Sequence, residues 1–381
     1  MRNIVIIGAG FGGLQAARVL SAGRKRINGH NIILVDKKKT SDFLPILPDV
    51  ISGRIQPQNA QAEIKELSAK LRIDFINEEI ISVDLKTKTA VFLSGSAIEY
   101  EYLILAAGSE TNFYNKIDLA GIVYKIDGVA DVIRLKTVLA NSPGRPVLVI
   151  GGGYTGIEVA TNIAVSRAGE SSIFVVDIGK DILGPLPDWM KNYVRQNLKK
   201  LKINVLTGVS LDSYDGAKVV LSDGRSFDGP IVVWAPGVKT PAFINNLGVN
   251  LDRQGRVVVD EFLGVGSGVY AAGDCAAFNH NGAALRMAVQ FAILEGQAAA
   301  RNILREINGL GRARYNPIDL GYIVPMANAL SCGIVMGIKI KGVISWFMHW
   351  VMCIYRSQSL STKIGIIRNL FSKRLIEVTG G

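Results

Sequence analysis

The chain has 381 residues, of which 49% are hydrophobic and 20% are charged, and its formal net charge is +11. This balance is typical of a globular protein with two or three domains. Three cysteines and three histidines predict neither a disulfide framework nor a structural zinc site, so no metal is expected.

The excess positive charge is concentrated near the C-terminus. No acidic residue lies between Leu320 and Ile376. The basic residues of this segment are Lys339, Lys341, Arg356, Lys363, Arg368, Lys373 and Arg374. The charge therefore marks one patch and does not predict a nucleic-acid-binding protein.

The first strand is predicted at the very start of the sequence, in RNIVIIG from Arg2. This leaves no room for the charged, apolar and cleavage regions of a signal peptide. We expect the protein to begin in the cytosol or its equivalent.

The first nucleotide-binding pattern is NIVIIGAGFGGLQAARVL followed by NIILVD. The apolar run Ile4 to Ile7 predicts a buried strand, Gly8, Gly10 and Gly13 form G-x-G-x-x-G, and a helical pattern follows. These glycines allow a tight turn, close approach of a pyrophosphate to a helix N-terminus, and close packing of helix on strand. Asp36 ends the second strand, where a carboxylate accepts hydrogen bonds from a ribose.

The second pattern is PVLVIGGGYTGIEVATNI followed by SIFVVD, with Gly151, Gly153 and Gly156 at the same spacing and Asp177 at the strand end. Strand, glycines, helix, strand and terminal acid occur twice, which implies two dinucleotides. Asp177 favours NADH over NADPH because a carboxylate repels a 2′-phosphate, although nearby Lys180 weakens this argument. The pattern alone does not say which unit holds a flavin.

These and further segments resemble the two-dinucleotide-binding flavoproteins, and within them the type II (alternative) NADH:quinone oxidoreductases, over nearly the full length. The resembling segments are GAGFGG (8–13), FLPILPDVISG (43–53), LILAAGSETNFY (103–114), GGGYTGIE (151–158), VWAPGV (233–238) and YAAGDCA (270–276). The resemblance implies FAD at the first unit, NADH at the second and quinone as the electron acceptor.

The resemblance also implies the residues of each site. Those expected at FAD are Gly8, Gly10, Gly12, Gly13, Asp36, Lys37, Pro45, Ala107, Gly108, Gly273, Asp274 and Gln290. Those expected at NADH are Gly151, Gly153, Tyr154, Thr155, Gly156, Glu158, Asp177 and Gly237. Glu158 and Gln290 are the expected catalytic residues. For Glu158 the alternatives are an acceptor that orients the cofactor amide and a carboxyl of raised pKa that relays a proton to the quinone.

One helix departs from the pattern of these relatives. Where the family has A-Q-x-x-x-Q-x-G, Val289 to Gly296 keeps Gln290 and Gly296 but has Leu294 at the second Gln. This puts the details of the quinone site, and the quinone type, in question. Glu295 is a substitute polar group or, with more weight, a solvated helix residue.

The fold implied is α/β, with two Rossmann-like dinucleotide-binding domains and C-terminal amphipathic helices that associate with a membrane. The FAD domain is expected at Met1–Asn112 and Asp260–Pro325, the NADH domain at Phe113–Val259, and a membrane and quinone-access region at 326–381. Ser142–Pro146 and Asp223–Pro230 are predicted turns inside the second domain.

The cysteines do not fit a disulfide or sulfide mechanism. None precedes Cys275, whereas a disulfide reductase of this superfamily has a cysteine pair soon after the first unit. Cys275, Cys332 and Cys353 are each expected to be buried packing residues, although a helix start could lower the pKa of Cys275.

The tail segment GVISWFMHWVMCIY, Gly342 to Tyr355, is apolar. As a helix it is about 21 Å long, which is less than the thickness of about 30 Å of the hydrocarbon core of a bilayer. We therefore do not expect it to span a membrane. The aromatic residues of this segment are predicted to lie at the depth of the lipid headgroups, and the flanking basic residues to bind an anionic lipid surface. The aromatic residues are Trp346, Phe347, Trp350 and Tyr355. Within this run, His349 is expected to be a hydrogen-bonded interfacial residue.

A second amphipathic helix is predicted from Leu360 to Leu375. Its apolar residues are Leu360, Ile364, Ile367, Phe371 and Leu375. Closure of the tail over the FAD domain, or a homodimer interface, is the alternative to lipid binding.

The expected reaction is NADH + H⁺ + quinone → NAD⁺ + quinol through tightly bound FAD, without proton pumping. The protein is expected to be peripheral and monotopic on the cytoplasmic face of the cell membrane, where lipid-soluble quinone enters. The alternatives are a sulfide:quinone oxidoreductase, a soluble flavoprotein that reduces a protein carrier, and a non-catalytic redox sensor.

Overall fold

The structure is a computed structural model, and it describes residues 2–27, 29–167, 172–357 and 359–371. The α-helices of these residues are α1 (Phe11–Ala22), α2 (Leu47–Ile51), α3 (Ile64–Leu71), α4 (Val129–Asn141), α5 (Tyr154–Ser166), α6 (Asp188–Lys200), α7 (Val289–Ile307), α8 (Val343–Arg356) and α9 (Leu360–Phe371). Short 3₁₀ helices lie at Arg24–Arg26, Leu44–Ile46, Pro57–Asn59, Ile117–Gly121, Ala242–Asn246 and Gly273–Cys275.

The strands of the first half of the chain are β1 (Asn3–Ile7), β2 (Asn31–Val35), β3 (Thr40–Asp42), β4 (Gln61–Glu63), β5 (Asp74–Ile76), β6 (Ile80–Asp84), β7 (Thr89–Phe92), β8 (Ala97–Glu99), β9 (Tyr102–Leu105), β10 (Glu110–Thr111), β11 (Val147–Ile150) and β12 (Ile173–Asp177). Those of the second half are β13 (Ile203–Thr207), β14 (Leu211–Tyr214), β15 (Lys218–Leu221), β16 (Ser226–Asp228), β17 (Ile231–Trp234), β18 (Val238–Lys239), β19 (Val257–Val258), β20 (Gly264–Gly266), β21 (Val269–Ala271), β22 (Ala276–Ala277), β23 (Asn279–His280), β24 (Ala283–Ala284), β25 (Gly321–Val324), β26 (Cys332–Val335) and β27 (Ile338–Lys341).

The first compact unit contains residues 1–41, 62–110 and 238–319. Its main sheet has the order β20-β21-β9-β1-β2-β5, and its central pairs are parallel. The residues of β1 from Ile4 to Ile7 are buried, as an apolar run between helical layers requires. A three-stranded antiparallel sheet, β6-β7-β8, adds to this unit. The prediction of an α/β dinucleotide-binding unit is confirmed here.

The second compact unit contains residues 42–61, 111–237 and 320–381. Its parallel sheet has the order β13-β12-β11-β17, and every residue of β11 and β17 is buried. Two antiparallel sheets, β14-β15-β16 and β25-β26-β27, complete the unit. The predicted turn at Asp223–Pro230 is wrong in part, because Ser226–Asp228 pairs as strand β16 after a turn.

The predicted C-terminal helices are present as α8 and α9. No helix of the described residues is long and apolar enough to cross a bilayer. One prediction for α8 is wrong, since Trp350 is 3% exposed and packs inward, whereas Phe347 and Tyr355 are 60% and 76% exposed. Lys373, Arg374 and Leu375 lie outside the described residues.

Candidate functional site: two glycine loops and a buried polar cluster

The loop after β1 is built around contacts that only glycine permits. Gly8 has a φ of +102°, and a Cβ there would lie 2.2 Å from the carbonyl oxygen of Ala106. A Cβ on Gly13 would lie 1.8 Å from the oxygen of Gly8, so α1 packs directly on the end of β1. A Cβ on Gly10 would meet no atom within 4 Å, which leaves open space at the N-terminus of α1. This is room for a phosphate at unsatisfied helix N–H groups.

The loop after β11 repeats this geometry in the second unit. A Cβ on Gly151 would lie 2.3 Å from the oxygen of Ala235, and one on Gly156 would lie 1.8 Å from the oxygen of Gly151. Gly153 precedes α5 and, like its counterpart, faces open space. The two units therefore share a loop shape as well as a motif, and each fits a dinucleotide.

The two strand-end carboxylates hold these loops. Asp36 accepts hydrogen bonds from the backbone N–H of Ala9 and of Lys38, both at 2.7 Å. Asp177 accepts them from Gly152 at 2.5 Å and Gly179 at 2.6 Å. Each carboxylate oxygen keeps a free lone pair after one such bond, so the carboxylates can still accept ribose hydroxyls.

Other residues predicted at FAD lie within the first unit. Asp274 accepts a hydrogen bond of 2.8 Å from Ser109, and burial raises the pKa of its carboxyl. Gly108 and Gly273 have φ values of +67° and +76°, which favour glycine. Lys37 instead forms a surface ion pair of 2.9 Å with Glu79.

Two glycines pack α7 onto α1, and one of them, Gly12, was predicted at FAD. A Cβ on Gly296 would lie 2.1 Å from the oxygen of Gly12, and one on Gly12 would lie 3.2 Å from the oxygen of Ala292. Ala107 is half-buried beside the first loop, and its Cα would lie 2.9 Å from a Cβ on Gly8. These small residues allow the backbones to approach closely.

Gln290 is buried in the first turn of α7, and its amide donates a 2.9 Å hydrogen bond to Asp319. Asp319 also binds Arg286 through two bonds of 2.6 and 2.7 Å. Leu294, one turn further on, is partly buried against the core of the first unit. The prediction that Glu295 is solvated is wrong, because it is 3% exposed.

The residues predicted at NADH in the second unit surround its loop. Tyr154 begins α5 and is half-buried, with its ring 6.4 Å from that of Tyr322 in an edge contact. Thr155 is exposed in the first turn. Gly237 has a φ of +153°, and a Cβ there would lie 2.7 Å from the hydroxyl of Tyr114. Pro45, predicted at FAD, lies half-buried in this unit within Leu44–Ile46.

Glu158 lies in a buried polar cluster that was not predicted. One ligand atom each of Asp49, Glu158 and His349 lies within 4.8 Å of the other two. Arg54 donates a 2.5 Å hydrogen bond to Asp49 and a second to the carbonyl oxygen of Ala327. The sequence shows no local signal of this cluster, because its members lie in three separate segments of the chain.

The environment of the cluster changes its titration. Burial, and next to it the charge of Asp49, raises the pKa of Glu158 well above its usual value, while Arg54 opposes this. Burial lowers the pKa of His349 to about 4, and the charges of Arg54 and Arg356 add to the effect. The predicted roles of Glu158 at the cofactor amide and in proton relay stay predictions.

A comparison with known protein families finds a nucleotide-binding family, in agreement with the two glycine loops. Residues 2–296 match the family described as pyridine nucleotide-disulphide oxidoreductase. The chain belongs to this family. The family name refers to disulphide chemistry, which needs an accessible cysteine pair. In this chain Cys275, Cys332 and Cys353 are all buried and form no disulphide.

The same thiols are also poor nucleophiles. Burial raises the pKa of Cys275 to about 11, that of Cys332 to about 12, and that of Cys353 well above its usual value. The prediction that they are buried packing residues agrees with their burial. Among pyridine nucleotide-disulphide oxidoreductases, this chain thus has the dinucleotide loops without an accessible cysteine pair.

Individual relatives match most of the chain. The type II NADH:quinone oxidoreductase of Haemophilus influenzae is 24% identical over 387 residues, covering 87% of each chain. A demethylphylloquinone reductase of Synechocystis sp. is 24% identical over 393 residues, covering 98% of this chain and 96% of its own. A structure of NDH2 from Plasmodium falciparum in complex with NADH has a TM-score of 0.84 at 17% identity and covers 98% of both chains. The fold is therefore shared along nearly the whole length.

Proposed function

We propose that the protein is a type II NADH:quinone oxidoreductase, which transfers a hydride from NADH to FAD and then two electrons to a membrane quinone. The observation that carries this proposal is the pair of equivalent loops, each clamped by its own strand-end carboxylate. Support also comes from relatives named for NADH:quinone and demethylphylloquinone reduction that align along nearly the whole chain.

We assign FAD to the first unit and NADH to the second. The isoalloxazine of FAD supplies the chemistry that accepts a hydride and passes on electrons. Gly8, Gly10 and Gly13 leave room for its pyrophosphate beside α1, and the carboxylates of Asp36 and Asp274 would accept hydrogen bonds from its hydroxyl groups.

The second unit holds the donor in the same way. Gly153 leaves space for the pyrophosphate at the N-terminus of α5, and the carboxylate of Asp177 would accept hydrogen bonds from a ribose with two free hydroxyl groups. A 2′-phosphate at this carboxylate would be repelled, which favours NADH over NADPH. The residues of this unit therefore bind and orient the donor and select it by charge.

On the acceptor side, Gln290 and Leu294 lie one turn apart on α7. The Gln290 amide is oriented by Asp319, which Arg286 holds in place. Leu294 has no hydrogen-bonding group, so this turn offers one polar and one apolar contact to a quinone. Binding of the quinone headgroup should therefore depend less on polar contacts here than in a site with a second Gln.

The C-terminal helices supply a surface for lipid. The large apolar side chains exposed on them are Val343, Ile344, Phe347, Val351, Tyr355, Leu360, Ile364 and Ile367. Exposed apolar side chains grouped on neighbouring helices in this way are typical of an interaction site. We infer that it lies in the bilayer interface, where quinone is dissolved.

The charge of this segment supports the same surface. Lys339, Lys341 and Arg368 are exposed, and no acidic residue lies between 320 and 376. Each base near an anionic bilayer contributes about 1 kcal/mol of attraction. We place the protein on the cytoplasmic face, where NADH is available. A homodimer through the same face is the competing arrangement.

The reaction is tested by anaerobic stopped-flow absorbance of the flavin. NADH should bleach the flavin rapidly, NADPH more slowly, and sulfide not at all. Ubiquinone or menaquinone analogues should then restore the oxidised spectrum. Reduction by sulfide, or a reduced spectrum that persists with every quinone, would contradict the proposal.

The membrane part is tested separately by flotation with vesicles of anionic and of zwitterionic lipid. Binding that is stronger to the anionic vesicles supports the lipid surface. Protein that stays unbound and sediments as a dimer supports the competing arrangement.

A further inference from the structure

Three elements of the second unit bring three metal-binding side chains together, and a cysteine lies beside one of them. Asp49 comes from α2, Glu158 from α5, and His349 from α8, with their ligand atoms all within 4.8 Å of one another. Cys353 lies one turn after His349 on α8, and its Sγ is 3.5 Å from the Nε2 of that histidine. Carboxylate, imidazole and thiol groups are the ligands that Zn²⁺ prefers.

One atom of the cluster points to a missing partner. The Oε1 of Glu158 is buried, and no polar atom of the residues described by the structure pairs with it. A buried carboxylate oxygen without a hydrogen bond is unfavourable. The carboxylate of Asp49, in contrast, accepts a hydrogen bond from Arg54.

We propose that Asp49, Glu158, His349 and Cys353 bind a divalent transition-metal ion of the Zn²⁺ type. Ligand atoms of a tetrahedral zinc site lie roughly 3.5 Å apart, given metal bonds of about 2.0 to 2.3 Å. The separation of 3.5 Å between Sγ of Cys353 and Nε2 of His349 fits such a site. The ligand atoms of Asp49, Glu158 and His349 lie within 4.8 Å of one another, so metal binding would draw these three closer together.

Such an ion would link α8 to the nucleotide-binding helix α5 and to α2. Glu158 would then be a ligand, and not the proton relay or amide acceptor expected from the resemblance. The expectation that the chain binds no metal would also be overturned. The site shares Glu158 with the residues expected at NADH. Its tests measure metal content and not turnover, so failure of the metal site and failure of the proposed reaction can be told apart.

The first test is the metal content of untagged, FAD-loaded protein. After treatment with a chelator, equilibration with Zn²⁺ and gel filtration, elemental analysis should find about one zinc per chain. His349→Gln should lower the zinc affinity by at least about tenfold. His280→Gln, on the exposed strand β23, is the matched control and should keep the zinc.

The second test replaces zinc by Co²⁺. Tetrahedral Co²⁺ should give d–d bands at wavelengths longer than those of the flavin, and a thiolate charge-transfer band that Cys353→Ser removes. Cys275→Ser, buried in the first unit, should leave that band unchanged.

A negative result is well defined. Zinc content near zero in wild-type protein, or equal content in wild type and His349→Gln, would overturn the site. Should His349→Gln fold poorly, thermal unfolding of wild type with and without Zn²⁺ decides, because a bound ion must raise its Tm.

Discussion

The Oε2 of Glu295 accepts a 2.7 Å hydrogen bond from the backbone N–H of Gly273, next to the predicted FAD ligand Asp274. The bond joins α7 to the 3₁₀ turn that follows β21. Burial raises the pKa of Glu295 to about 8, with the charge of Asp274 adding to it and the Gly273 bond opposing it. A carboxyl at a position expected to be solvated therefore titrates near neutral pH.

This shift predicts a pH-dependent stability. A raised carboxyl pKa means that the folded state binds an extra proton between about pH 4.5 and pH 8, so stability falls as pH rises through that window. Glu295→Gln stays neutral and keeps an acceptor for Gly273. We expect it to raise the Tm at about pH 9 and to leave it nearly unchanged at about pH 5.

The measurement is thermal unfolding of the FAD-loaded protein across this pH range. Glu261→Gln, whose carboxylate is exposed and paired with Arg314, is the control. Equal pH dependence in wild type and Glu295→Gln would mean that Glu295 does not hold the extra proton.

The first glycine loop predicts two different effects of adding one methyl group. Gly13→Ala places a Cβ 1.8 Å from the oxygen of Gly8, so the fold itself should lose about 1 to 3 kcal/mol or more. Gly10→Ala meets no protein atom and should cost less than about 1 kcal/mol. Gly10→Ala should nevertheless reduce FAD content, because its methyl group occupies the phosphate space.

Urea unfolding of the apoproteins and the flavin-to-protein absorbance ratio separate these effects. If Gly10→Ala retained full FAD, the space at the start of α1 would not be the flavin phosphate site.

The carboxylate of the second unit predicts an effect on the donor. Asp177→Ala removes a group expected to accept from the ribose and also frees the N–H of Gly152. Losing a charged hydrogen bond of about 1.5 to 3 kcal/mol should raise the KM for NADH at least about tenfold. Asp36→Ala should instead lower FAD content. Steady-state kinetics with reconstituted flavin distinguish the two, and an unchanged KM in Asp177→Ala would reject the assignment of NADH to this unit.

The buried and exposed faces of α8 predict that one aromatic residue, Trp350, matters for stability and another, Phe347, for membrane binding. Trp350→Ala removes a buried ring and should destabilise the protein by about 3 to 5 kcal/mol. Phe347→Ala removes an exposed ring and should change stability by less than about 0.5 kcal/mol. The same change should weaken vesicle binding by about ten- to a hundredfold, given about 1.5 to 3 kcal/mol for burying a Phe side chain.

Chemical denaturation and vesicle flotation of both variants provide the measurement. The control is Ile117→Ala, which removes an exposed apolar side chain far from α8 in the sequence. Equal flotation of Phe347→Ala and Ile117→Ala would show that the α8 face does not insert.

Local patterns carried most of the fold prediction. The apolar runs before each glycine motif correspond to β1 and β11, and the aspartates lie at the ends of β2 and β12, as predicted. These features depend on residues close in sequence, where strand, turn and helix preferences act together. The fourteen-residue helix α8 was likewise predictable from one apolar stretch.

The failures share a different cause. Trp350 and Glu295 were placed at surfaces on residue type, but their burial depends on which face of the helix meets another element. Asp49, Glu158 and His349 are separated by more than a hundred positions, and only tertiary folding brings them together. Local sequence patterns do not encode such long-range encounters.

The burial of all three native thiols has a practical consequence for spectroscopy. A maleimide or a nitroxide reagent needs an accessible thiolate, which none of them offers. One cysteine introduced on the outer side of α8 would therefore carry the only label, with the natural thiols left in place. The depth to which that label sinks into a bilayer could then be read directly in the otherwise unaltered protein.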